Sequence, residues 1–296
     1  MKKISRLAAT VLAAAVALTS CASTKTEAAK PAEISGKTTS IILVSFGTSF
    51  EESRKATCVA VEDEVKAAFP DFYVTSAYTS SLIRNKLRKN GIEIFSVDEA
   101  LKDAQSKGFR NVIVQPTHMM YGLEYNEMQE LAEPYKSRMH IVFGKPLLAT
   151  KDEISAVLAT LAKNVAGTKR ALVLMGHGTD YFSNFLYAAA DYQAKAEGHP
   201  EIFVGTVEAY PDCATVIELA KKAGYRSVLL EPLMLVAGDH ANNDMAGDED
   251  DSWKSQFTAA GFEVETLIKG LGEYPEVRAI YIDHIKEAMA SPENAE

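Results

Sequence analysis

The chain has 296 residues, and once the head group of Lys2, Lys3 and Arg6 is set aside, its 31 Lys and Arg fall to 28 against 40 Asp and Glu, a net charge of −12. So acidic a chain argues against nucleic acid as a partner. Its three cysteines, Cys21, Cys58 and Cys213, make no disulfide framework, and the last two fall in helix-like segments as expected buried thiols.

Residues 1–20 read as an export signal. Lys2, Lys3 and Arg6 precede an apolar run at 7–18 that is too short to span a bilayer. The run ends in Leu18, Thr19, Ser20 and Cys21, which looks like a bacterial lipobox, where Cys21 is acylated and becomes the new N-terminus. Residues 21–37 are rich in Ala, Thr, Lys, Glu and Pro and read as a flexible tether. The expectation is an exported protein, a periplasmic or cell-surface lipoprotein that touches the membrane only through this anchor. About 260 residues remain, enough for a large single core or two lobes.

Beyond the tether, short apolar runs alternate with helix-period segments, the pattern of a parallel sheet covered on both faces. Strands are expected near 40–46, 71–77, 111–115 and 139–144, then near 170–176, 201–207, 227–231 and 262–268. Helices lie between them, among them 51–69, 97–107, 152–166 and 215–223, with a last one at 275–290. The fold class is α/β, with a first lobe at 38–167 and a second at 168–296. Each is flavodoxin-like with a parallel four-stranded sheet, and a cleft lies between them. A single eight-stranded barrel fits less well, because each set of four strands is complete in itself.

The second half repeats the first. GFRNVIVQP at 108–116 matches GYRSVLLEP at 224–232, and IILVSFGT at 41–48 matches LVLMGHGT at 172–179. In this alignment Phe46 falls where His177 stands, and Glu124 falls where His240 stands, counting from Gly122 and Gly238. The scaffold is duplicated but the imidazoles are not, which suggests one metal-binding wall and one apolar wall.

Ligands of open parallel sheets bind beyond the carboxyl ends of the strands. His177, Glu208 and His240 fall at such ends in the second half. Two imidazoles and a carboxylate suit Co²⁺, Ni²⁺, Fe²⁺ or Zn²⁺ and leave coordination positions open. The loop at 238–253 lacks the spacing of a calcium-binding EF-hand. Its Asp248 to Asp251 read as a solvated face, and Asp239, Asn242 and Asn243 as groups that fix the His240 ring and its tautomer. In the facing loop, His118, Met119, Met120 and Tyr121 are expected to present a polarizable surface to the cleft, which Phe46, Ser49 and Phe50 extend.

The motifs VSFGT ending at Thr48, TH ending at His118, GLEY ending at Tyr125, MGHGT ending at Thr179, GTVE ending at Glu208 and PLMLVAGDHANNDMAG ending at Gly247 together closely resemble the anaerobic sirohydrochlorin cobaltochelatases, which are class II chelatases. The resemblance runs from about Thr39 to the C-terminus. It implies two similar α/β lobes around a tetrapyrrole substrate, with Co²⁺ as the metal inserted and no nucleotide. His177 and His240 would be the catalytic pair that binds metal and accepts protons, and Glu208 a third metal contact. On the facing wall, Phe46, Ser49, His118, Met119 and Glu124 are the expected substrate contacts. The family's cytoplasmic members make a corrin precursor, so an exported form departs from that setting.

Metal insertion must strip water from the ion and remove two pyrrolic protons. A neutral imidazole can hold metal and also take a proton near neutral pH. A carboxylate-rich substrate needs cations, and Arg54, Lys55, Arg84 and Lys86 are available, although in a helix or loop they read as solvated charges. Two other readings fit the same residues. One is an exported carrier that captures haem, another tetrapyrrole or a metal without catalysis, with His118 as an axial haem ligand. The other is a chelatase for iron or nickel, since one N/O ligand set serves all these metals. A homo-oligomer is compatible with each.

Overall fold

The computed structural model describes residues 28–291. The signal and lipobox expected at 1–21 lie outside the described residues. Two four-stranded parallel sheets form, of order β2-β1-β3-β4 and β6-β5-β7-β8. The strands of the first are β1 (Thr39–Ser45), β2 (Tyr73–Tyr78), β3 (Asn111–Pro116) and β4 (His140–Phe143), and those of the second are β5 (Ala171–Gly176), β6 (Ile202–Thr206), β7 (Ser227–Pro232) and β8 (Glu263–Thr266). The expected eight strands in two sheets are therefore present.

Both faces of each sheet are covered, so alternate residues of one strand enter different cores. Ile42 and Val44 face α4 (Val97–Ser106) and α5 (Leu123–Ala132), on the outer side of the first lobe. Val173 and Met175 face α8 (Cys213–Lys222) and α9 (Trp253–Ala259), on the outer side of the second. Ile41 and Leu43 join Leu172 and Leu174 in one core that runs through both lobes. Continuous apolar strands follow from this two-sided burial.

Polar signals set the helix starts. Ser96 and Thr150 form capping boxes with Glu99 and Glu153, at the starts of α4 and α6 (Lys151–Ala162), and each satisfies two otherwise orphaned donors. Ser80 caps α3 (Ser81–Lys89), a helix that the strand-and-helix alternation does not anticipate. The helix expected at 51–69 is built from α1 (Glu51–Arg54), a π turn (Lys55–Val59) and α2 (Ala60–Ala68).

The halves exchange their last helices. In α10 (Pro275–Met289) the Tyr281 hydroxyl donates to the Thr117 carbonyl at 3.0 Å, and the buried His284 ring lies 3.0 Å from the Lys145 carbonyl and 2.7 Å from Glu153, all in the first half. Just past α6, Asn164 donates to Glu231 in β7 at 2.8 Å. This exchange welds the lobes and fixes the cleft between them.

The stretch expected as a flexible tether is held to the first lobe where it is described. Ala29 N donates to the Lys136 carbonyl at 2.7 Å, and Ala32 N to Asn111 Oδ1 at 2.9 Å. Asn111 supplies this anchor from the start of β3, a tertiary partner that composition does not show. Among the described residues no helix is long and apolar enough to cross a membrane.

Candidate metal centre

The sheet order puts β5 beside β7 at the point where the strand sequence reverses, and ligands bind outside the carboxyl ends at such a point. His177 follows β5 directly, Glu208 lies two residues past β6, and His240 lies in the turn after β7. Gly178 has φ +91°, and a Cβ there would stand 2.9 Å from Ala209, so a glycine is required for the His177 and Glu208 loops to meet. Glu208 N donates to the His177 carbonyl at 2.9 Å. One ligand atom from each of His177, Glu208 and His240 lies within 4.8 Å of the others.

The geometry of the group suits an ion. His177 Nε2 and Glu208 Oε2 are 3.7 Å apart, too far for a hydrogen bond. Two ligands of one tetrahedral ion, each about 2.1 Å from it, stand about 3.4 Å apart. The His177 and His240 rings meet edge to face, with centroids 4.7 Å apart. His177 Nδ1 lies 2.8 Å from the Gly178 carbonyl, and His240 Nδ1 lies 2.7 Å from Asp244 Oδ2. Each contact calls for a proton on Nδ1 and leaves the Nε2 lone pair free.

The group behind His240 differs from expectation. Asn242 donates to the Gly238 carbonyl at 2.7 Å and Asn243 to Asp239 at 3.0 Å, so Asp239, Asn242 and Asn243 shape the turn while Asp244 holds the ring. The reason is local: the expected loop is helical here, running from His240 into a π turn (Ala241–Met245), which brings position i+4 beneath the ring. Read as a helix, the sequence His240-Ala-Asn-Asn-Asp244 carries that signal.

The first lobe offers the same frame with other side chains. Ser80 N donates to the Phe46 carbonyl at 3.4 Å, as Glu208 does to His177, so Phe46, Ser80 and Glu124 occupy the positions of His177, Glu208 and His240. Phe46 is half exposed and Ser49 half-buried. The wall reaches the metal group, for a Cβ on Gly238 would lie 3.3 Å from Thr48 Oγ1. Glu124 keeps an open face, yet the surrounding protein desolvates it and pushes its carboxyl up, against the opposing pull of His177.

His118 is a correction. Only 7% of it is exposed, and neither ring nitrogen has a partner among the described residues. Burial pushes its pKa down to about 4, so the ring is neutral and lies beneath the cleft wall instead of lining it. Leu147 N donates to the His118 carbonyl at 2.9 Å, which holds the backbone against the β4–α6 loop and turns the ring inward. An axial contact to a haem in the cleft needs an open nitrogen, which this ring does not have. Met119 and Met120 are half-buried and pack on the central core; of the expected surface, Tyr121 is the exposed part. Cys58 and Cys213 are free, buried thiols.

A family model described as cobalt chelatase (CbiK) matches residues 39–290. The chain is 36% identical over 255 residues to a sirohydrochlorin cobaltochelatase of Salmonella typhimurium, covering 84% of this chain and 96% of the relative. It is 29% identical over 257 residues to the sirohydrochlorin cobaltochelatase CbiKC of Nitratidesulfovibrio vulgaris, covering 85% and 90%. The fold is similar to that of SirB from Bacillus subtilis with Fe³⁺, with a TM-score of 0.61 at 14% identity over 86% of this chain and 96% of that one. With the match running from the first strand into the last helix, this chain belongs to the cobalt chelatase (CbiK) family.

Proposed function

We propose that this chain inserts Co²⁺ into sirohydrochlorin without a nucleotide, as an exported protein held to a membrane by a lipid on Cys21. The observation that carries the reading is the convergence of His177, Glu208 and His240 within 4.8 Å, opposite a wall bearing Phe46 and Glu124. Both relatives named above are sirohydrochlorin cobaltochelatases, which supports the substrate pair.

His177, Glu208 and His240 hold the incoming metal substrate through the two free Nε2 atoms and a carboxylate oxygen. Glu208 offsets charge, while the imidazoles displace water from the ion and, once it passes to the macrocycle, are free to accept protons. Phe46 gives the macrocycle an apolar face to lie against. Glu124, with its raised pKa, is suited to take a pyrrolic proton from the opposite side. The ligand set accepts Fe²⁺, Ni²⁺ or Zn²⁺ as well. The test is anaerobic incubation of the purified protein with sirohydrochlorin and each metal, followed by absorbance. Turnover with Co²⁺ supports the enzyme; stoichiometric binding without metallation would favour a carrier.

The anchor rests on Leu18 to Cys21 and the short apolar run before them. Cys21→Ser is expected to move the protein from the membrane fraction into the soluble one. A wild-type protein already soluble, beginning at another residue, would overturn this part of the reading.

A further inference from the structure

Among the described residues, eight carry a buried side-chain nitrogen or oxygen without a hydrogen-bond partner, and four of these, Ser53, Arg54, Thr79 and Arg84, come from a single edge of the first sheet. Ser53 and Arg54 lie on α1, just after β1; Thr79 and Arg84 follow the adjacent β2. The strands run parallel with Ser45 beside Tyr78, so both segments leave the sheet at its carboxyl edge. Arg54 N donates to the Phe50 carbonyl at 2.8 Å, and Ser80 N reaches the Phe46 carbonyl. The four residues therefore flank the aromatic wall that faces the metal group.

The Arg54 charge is unspent and that of Arg84 is met only at long range. Arg54 makes no ion pair among the described residues, and Glu51 beside it is taken by Lys55 at 2.7 Å. Arg84 is 3.7 Å from Glu99, whose carboxylate already accepts from Ser96 N at 2.7 Å. The Arg54 charge favours the ionised forms of the Tyr78 hydroxyl and the Cys58 thiol. Tyr78 lies directly under Gly47, where a Cβ would stand 2.3 Å from the ring, so the guanidinium is close to the base of Phe46. Other cations of this acidic chain, such as Lys66, Lys102 and Arg170, are paired with carboxylates at short range. A buried donor left without a partner is costly, and an arginine fork recovers this best from a carboxylate.

We infer that the guanidinium groups of Arg54 and Arg84 form a carboxylate-binding subsite that holds the acidic side chains of the tetrapyrrole while its ring lies against Phe46. The inference rests on the proposed substrate and adds where its charge is met. The second copy has Phe185 at the position of Arg54 and Asn184 at that of Ser53 by the 41–48 and 172–179 alignment. Asn184 is fully engaged, accepting from Thr179 N at 3.1 Å and donating to the Tyr210 carbonyl at 2.7 Å. The spare guanidinium donors thus belong to the wall without metal ligands, which separates anion binding from cation binding.

The test is metal-free titration of sirohydrochlorin, read by its absorbance and fluorescence, with Arg54→Met, Arg84→Met, the double variant and Lys102→Met as a surface control. Each arginine variant is expected to bind the macrocycle about 10-fold more weakly, the effect of one charged hydrogen bond, and the double variant more weakly still. Co²⁺ titration without macrocycle should be unchanged, and Lys102→Met should bind as wild type. On the wild-type protein, methyl esterification of the macrocycle should cost at least as much as the double variant, a measurement that does not depend on any variant folding. Equal affinity for the acid and the ester, or binding by the folded double variant within twofold of wild type, would overturn the subsite alone. Failure of the wild type to bind sirohydrochlorin would overturn the proposed function and the subsite with it.

Discussion

Glu124 and His240 stand at the same step of the two repeats. Each is two residues past a glycine, Gly122 or Gly238, whose carbonyl accepts a 3.1 Å hydrogen bond from Asn126 or Asn242. One frame thus delivers a carboxylate to one wall and an imidazole to the other. Because the cleft raises the pKa of Glu124 through desolvation, this carboxyl stays protonated to a higher pH than an ordinary one.

Insertion that uses the charged form of Glu124 should decline as pH falls through that raised value. Glu124→Gln is expected to remove this limb of the pH profile and to slow insertion by about 10²-fold, the lower end for a lost acid–base group. The check is the kcat profile of both proteins between pH 5 and 8. An unchanged limb in the variant would assign the titration to another group.

Asp244 is expected to govern metal affinity without touching the metal. Its 2.7 Å contact with His240 Nδ1 fixes the tautomer and the ring. Asp244→Ala should weaken Co²⁺ binding by about 10–100-fold, the usual cost of removing the carboxylate behind a ligating histidine. Asp244→Asn keeps an acceptor and should recover part of the loss. Calorimetric Co²⁺ titration distinguishes the three proteins; equal affinities would show that the ring needs no support.

Glu231 predicts a stability slope. Burial pushes its pKa from 4.5 up to about 7, with the Tyr274 and Asn164 hydrogen bonds opposing the rise. A carboxyl with a raised folded pKa gives stability that is fully present below its unfolded pKa and is lost as pH rises through the folded one. The span between 4.5 and about 7 corresponds to about 3 kcal/mol. Gln115 holds the same position in the first copy, so Glu231→Gln should fold, and its amide can accept from Asn164 and donate to Tyr274. The wild type should lose stability relative to the variant between pH 4.5 and 8 in urea unfolding. Parallel curves would contradict the buried, protonated carboxyl.

Much of this was legible in the sequence because the central strands carry unbroken apolar runs, such as 41–44 and 172–175, and the repeats share their glycines. His177, Glu208 and His240 could be found since strand ends locate a site whatever the helices do. Asp244 was not, because a π turn hides inside a polar stretch that composition assigns to a loop. The inward turn of His118 depends on Leu147, and the exchange of α10 depends on which face it covers; neither distant partner is written in local periodicity. Arg54 and Arg84 look like surface charges until the unmade hydrogen bonds of their buried Nε atoms are seen in three dimensions.

The most direct measurement is the initial rate of Co²⁺ insertion into sirohydrochlorin by His177→Ala and His240→Ala, with circular dichroism to establish that each is folded. Both residues follow strand ends outside the main cores, so the fold should survive. Each variant should lose at least about 10²–10⁴-fold in rate, because a metal ligand and a proton acceptor go together. Glu208→Gln should instead weaken metal affinity more than it slows proton removal. Near-wild-type insertion by either folded histidine variant would contradict the metal centre assigned to the second lobe.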